Sequence, residues 1–131
     1  MAFNLNKLST KDIFTLQLVD DTGVKLIDDE GKPVTIDVYG PGSSVVRNAT
    51  FALQNRQLKR GKKQMTAELL REESVELMAA GIAGCSSNLE YNGKNPKSKA
   101  DWIELLSDDS LEWIKSQISE AQAEVSNFLQ K

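Results

Sequence analysis

The chain changes its hydrophobic period once, at Gly40-Pro41-Gly42-Ser43, and that single change limits the folds open to it. Before this point apolar residues alternate. Phe14, Leu16 and Leu18 alternate with Thr15, Gln17 and Val19, and Val34, Ile36 and Val38 share one face of residues 33–39, which is the period of half-buried strands. Asp20-Asp21-Thr22-Gly23 and Asp28-Asp29-Glu30-Gly31-Lys32 read as turns on either side of a short strand over 24–27. Residues 1–40 therefore read as a small antiparallel meander, which needs a covering layer because a lone ribbon is marginal in water.

After Gly42 the period becomes helical. A first helix is expected from a Ser43 or Ser44 cap to about residue 59, closed by Gly61. A second runs from about 64 to 83, with Leu69, Leu70, Val75, Leu77, Met78 and Ile82 on its apolar face and Glu68, Glu72, Glu73 and Glu76 towards solvent. A polar loop over 86–98 carries Asn92-Gly93, a tight-turn pair, with Leu89 and Tyr91 beside it. Ser98-Lys99-Ala100-Asp101 is a capping-box variant opening a short helix with Trp102, Ile103, Leu105 and Leu106. The last helix is expected from about 108 to 129. The fold class is thus α+β: one domain over 1–131, with a β-rich part (1–40) and about four helices (43–131). No internal repeat is evident.

Size and charge narrow the function. With 131 residues, 40% hydrophobic and 27% charged, the chain has material for one modest core. Its net charge of −3 predicts no general attraction to nucleic acid or anionic lipid. The charge is uneven, however. Residues 38–67 carry six cations (Arg47, Arg56, Lys59, Arg60, Lys62, Lys63) and no acid, whereas residues 68–131 carry 6 basic and 12 acidic groups. A single cysteine, Cys85, cannot form an internal disulfide. The first residues lack the apolar core of a signal peptide, no apolar run approaches the ~20 residues needed to span a bilayer, and a soluble cytoplasmic protein is expected.

Catalysis has little to build on. Histidine is absent, which removes the commonest general base and metal ligand, and one cysteine without histidine forms neither a nucleophile–base pair nor a zinc site. No enzyme activity, cofactor or metal is expected. Asp21-Thr22-Gly23 matches the aspartic-protease tripeptide, which works in pairs, but it also suits a tight turn. Asp28-Asp29-Glu30 lacks the spacing of a calcium loop.

Two stretches remain as candidate surfaces. The basic block admits three readings: a solvated helix end, docking onto an acidic surface such as the Glu68, Glu72, Glu73 and Glu76 face of a neighbouring copy, or phosphate binding. The third is weakened because Phe51 is the only nearby aromatic. In the C-terminal helix, Leu111, Ile114, Ile118, Ala121, Val125 and Phe128 are spaced by 3, 4, 3, 4 and 3 residues, the seam of a helix packed lengthwise on another. Either the seam lies on helix 64–83 in the chain's own core or it captures a partner helix.

From Leu77 onward the order of features resembles the tail assembly chaperones of long-tailed (siphovirus-type) bacteriophages. The matching features are Ala79-Ala80-Gly81-Ile82-Ala83-Gly84, Glu90-Tyr91-Asn92-Gly93-Lys94, Glu104-Leu105-Leu106 and Asn127-Phe128-Leu129. The resemblance covers about 55 of 131 residues. Cys85-Ser86-Ser87 departs from it, since relatives place an aromatic after the small-residue turn. Membership implies a non-enzymatic role in the bacterial host cytoplasm. Such a protein binds the helical tape-measure protein, helps recruit tail-tube subunits, self-associates, and is absent from the mature virion. The alternatives are another tail or head-completion component, or a small nucleic-acid-binding regulator.

Overall fold

The computed structural model describes residues 12–61 and 65–128, except the side chains of Val125 and Ser126. Three antiparallel strands form one sheet in the order β1 (Ile13–Gln17), β2 (Thr35–Tyr39), β3 (Ile82–Cys85). Four helices accompany it: α1 (Ser44–Arg60), α2 (Ala67–Ala80), α3 (Lys99–Leu106) and α4 (Glu112–Ala123). The architecture is α+β, as the change of period requires.

The third strand is not the expected one. Residues 24–27 make only the isolated bridges Val19↔Lys25 and Ile27↔Pro33. The place beside β2 goes instead to residues 82–85, where the sequence pattern predicts the end of the second helix at about residue 83. β2 is the central strand, with Leu16↔Ile36 on one side and Ile36↔Cys85 on the other. Ile36 and Val38 are fully buried, so the backbone groups along this strand need partners on both edges. Gly81 ends α2 and its carbonyl accepts from Tyr39 N at 2.8 Å. The chain then turns directly into β3, and a β-bulge at Asp37/Val38 absorbs the register shift.

Residues 18–33 hold a repeat that the linear pattern conceals. Leu18-Val19-Asp20-Asp21-Thr22-Gly23-Val24-Lys25 and Leu26-Ile27-Asp28-Asp29-Glu30-Gly31-Lys32-Pro33 fold into two like turns. Asp20 Oδ1 accepts from the amides of Thr22 and Val24, and Asp28 Oδ1 from those of Glu30 and Lys32, all at 2.9 Å. Gly23 (φ 87°) and Gly31 (φ 80°) take the left-handed positions. Leu18, Leu26 and Val34 then close a backbone ring: Leu18 N donates to Val34 O, Val34 N to Leu26 O, and Leu26 N to Leu18 O. The Gln17 amide reaches all three carbonyls at 3.2–3.4 Å.

One face of the sheet carries the core. Leu18, Ile36 and Val38 meet Val75 and Ala79 of α2, Trp102, Leu105 and Leu106 of α3, and Ile118 and Ala121 of α4. The expected caps are present. Ser43 Oγ accepts from Val46 N, and Ser98 and Asp101 form the reciprocal capping box. Asn92 (φ 52°) and Gly93 (φ 81°) make the tight turn, bracketed by the Tyr91↔Lys94 bridge.

The C-terminal helix is interrupted, contrary to expectation. Asp109–Leu111 is a 3-10 turn, α4 stops at Ala123, and Val125–Phe128 is a second 3-10 turn. The break lets Phe128 leave the helix line and reach β1. Among the described residues no helix is long and apolar enough to cross a membrane.

Candidate functional site

The seam is divided by the fold. Ile118 and Phe128 are fully buried and Ala121 is 5% exposed, so these three belong to the core. They pack chiefly on the sheet, which is neither the lengthwise contact with helix 64–83 nor the partner-helix seam that the spacing left open. The reason is geometric: α2 lends its apolar face to the sheet and α3, and α4 lies across β1 and β2. The side chain of Val125 lies outside the described residues. Leu111 and Ile114, at the start of the seam, stay half-buried and line an open groove of about 420 Å³ with Trp113, Tyr91, Leu26 and Val34.

Trp113 is 38% exposed at the edge of this groove. Tyr91, whose hydroxyl donates to Asp108 Oδ2 at 2.8 Å, also lines it. That bond holds the Asp108 carboxyl below the usual range, behind the larger effect of Ser110, which also donates to it. The groove is apolar with a fixed polar rim, the character of sites that grip apolar side chains. Leu26, Val34 and Tyr91 were not singled out as site residues. Leu26 and Val34 read as strand residues and Tyr91 as a neighbour of the tight turn, and alternation does not say which apolar strand residues line a groove.

The basic block is partly neutralised from within the chain. Arg56 Nη2 lies 3.0 Å from Glu76 Oε2 and Arg60 Nη2 lies 2.8 Å from Glu73 Oε1. Lys99 adds a third cation, at 3.4 Å from Glu76. The acidic face proposed for a neighbouring copy therefore serves α1 of the same chain, with α1 and α2 joined as a hairpin. Glu73 is 4% exposed rather than on the solvent side, while Glu68 and Glu72 are exposed. Arg47 and Lys59 are exposed and join no ion pair among the described residues. Lys62 and Lys63 lie outside those residues. Two such cations on α1 make a weak phosphate-binding patch.

The hydrogen bond from Arg60 holds the Glu73 carboxyl below its ordinary value of 4.5, against the opposing effect of burial. A lowered folded-state value stabilises the fold fully above the unfolded value and loses that contribution as pH falls through the folded one. Melting temperature should therefore drop as pH falls below about 4.5, and Glu73→Gln should flatten that part of the curve. Parallel curves for the two proteins would remove the Arg60–Glu73 pair as the cause.

The remaining motifs are structural. Asp20 and Asp28 spend their carboxylates on turn amides, with Asn88 Nδ2 also donating to Asp28 Oδ2 at 3.0 Å. The Thr22 hydroxyl, which donates to Asp20 Oδ1 at 2.7 Å, leads in lowering the Asp20 carboxyl, and Asn88 leads for Asp28. Among the described residues no group of three or more His, Cys, Asp or Glu is placed to hold a metal ion.

α1 is the second unusual surface. None of its 17 residues is buried. Phe51 (55% exposed) and Leu58 (81%) stand on the side away from α2. Compared with known protein families, characterised proteins and solved structures, the chain matches none.

Proposed function

We propose that the protein is a non-catalytic tail assembly chaperone that binds the helical tape-measure protein and helps recruit tail-tube subunits in the host cytoplasm. The groove around Trp113 supports this reading best. It places Leu111, Trp113 and Ile114, the open start of the seam, beside apolar residues of the Leu18–Val34 ring. A helix with an apolar stripe has side chains at i and i+3 or i+4 to set into such a groove. Large aromatics at the rim are the side chains that most often dominate binding energy. The order of features from Leu77 onward points to the same class of protein.

Co-expression with the tape-measure protein tests the reading. The wild-type chain should keep that partner soluble, and Trp113→Ala should lose the effect with its circular dichroism unchanged. A tape-measure protein that stays insoluble beside well-folded wild-type chain would defeat the proposal. Mass spectrometry of purified particles separates the rival reading, since a structural tail or head-completion component would be present in fixed copy number.

A further inference from the structure

We propose that α1 of one copy docks along the outward face of α4 of a second copy, so that the chain assembles head to tail. Both faces are exposed, and they match in spacing and in chemistry. The stripe on α1 is Arg47, Phe51, Asn55 and Leu58; that on α4 is Glu112, Ser116, Glu120 and Ala123. Both are spaced by 4, 4 and 3 residues. Laid parallel, they set Arg47 against Glu112, Phe51 over Ser116, Asn55 against Glu120 and Leu58 over Ala123.

Size complementarity supports this alignment. Phe51 and Leu58, about 10 Å apart along the helix axis, are large side chains that stay 55% and 81% exposed among the described residues. Ser116 and Ala123 are small and have the same separation, so they leave hollows where those knobs fit. Charge supports it as well. Residues 44–60 contain four cations and no acid, and two of those cations are already paired to α2. No ion pair among the described residues takes up Arg47, Glu112 or Glu120. Arg71 is near enough to feel Glu112, but it hydrogen-bonds to Asp109. An isologous pairing of two α1 helices would instead bring cation-only faces together.

Because the two surfaces differ, each copy that donates α1 still offers its own α4. Such a heterologous contact continues into a ring or an open chain. A contact of two short helices falls below the ~1,000 Å² of a stable interface, so association should be weak, concentration-dependent and weakened by salt. Self-association in general is what the resemblance implies; the pair of surfaces is argued from the fold alone and is tested apart from tape-measure binding. A chain that self-associates but leaves the tape-measure protein insoluble would keep this inference and lose the chaperone proposal.

Sedimentation velocity of the full chain over a concentration series, at low and high salt, is the test. Wild-type protein should shift to higher mass with concentration. Leu58→Glu should weaken this by about tenfold or more, as loss of a large apolar anchor does. Arg47→Glu should weaken it too, and Arg47→Glu with Glu112→Arg should restore it. All three positions are exposed, so circular dichroism should be unchanged. A wild-type chain that stays monomeric throughout, a Leu58→Glu variant that associates normally, or a charge swap without rescue would each overturn the proposal.

Discussion

Replacing Ile118 with Asp is expected to leave the chain unfolded at room temperature. Ile118 is 0% exposed and sits where α4 crosses the sheet, among Ile36, Val38 and Leu106. Losing its buried methyl groups alone costs about 2–5 kcal/mol. A carboxylate in the same place must be neutralised or drag water inward, at a further cost of several kcal/mol. Together these approach the whole stability of a small domain, about 5–15 kcal/mol. Circular dichroism should show little cooperative melting. Ser119→Asp, one residue along on the exposed face, should stay within about 0.5 kcal/mol of wild type. A cooperative melt for Ile118→Asp, with only partner binding lost, would return the middle of the seam to the interface.

How much of this was legible depends on what each residue's signal encodes. Of the six seam positions, Ile114, Ile118 and Ala121 lie in α4, whereas Leu111 and Phe128 fall in the 3-10 turns that flank it. Periodicity states which side of a helix is apolar, but not what covers it, so Ile118 and Leu111 read alike although one is sealed and the other lines a groove. Caps and turns were legible because their chemistry is local: Ser43, Ser98 with Asp101, and Asn92-Gly93 act within four residues. The third strand was not. Ile82 continues the helical pattern of α2, yet Ile82–Cys85 becomes a strand because β2 needs a second neighbour, a demand made by residues nearly fifty positions away. The ring of Leu18, Leu26 and Val34 was hidden for a different reason. Its eight-residue repeat is shorter than the units that usually mark repeat proteins, and its paired Asp-Asp and Gly residues already had a sufficient account as turns.

The ion pairs between α1 and α2 teach a related lesson. Docking between copies is one of three readings that the opposite charges in adjacent blocks allow, but a short connection between two helices makes the intramolecular pairing the first available. What remains after Arg56 and Arg60 are paired is the informative part. It is a face carrying Arg47, Phe51 and Leu58 that the chain's own described residues do not use. Composition alone located the cations; only the fold separated the ones already paired from those still available.

The second large effect is expected at the close approach of Phe128 to Gly40. Phe128 is 0% exposed, and its ring meets Phe14 edge-to-face at a centroid distance of 6.0 Å. A Cβ built on Gly40 would lie 2.7 Å from Phe128 Cγ, closer than carbon atoms pack. Gly40 is therefore required by the ring above it rather than by a left-handed backbone. Phe128→Ala should destabilise the fold by about 3–5 kcal/mol, the range for emptying a buried aromatic site. Gly40→Ala should cost about 1–3 kcal/mol through overpacking. The two effects share one space, so they should not add. With the ring gone, the new methyl group partly fills the cavity, and the double variant should be more stable than the sum of the single losses predicts. Denaturant unfolding of all four proteins measures the coupling. Strict additivity would mean that the two residues do not touch in solution, and that the 3-10 turn after α4 does not close this end of the sheet.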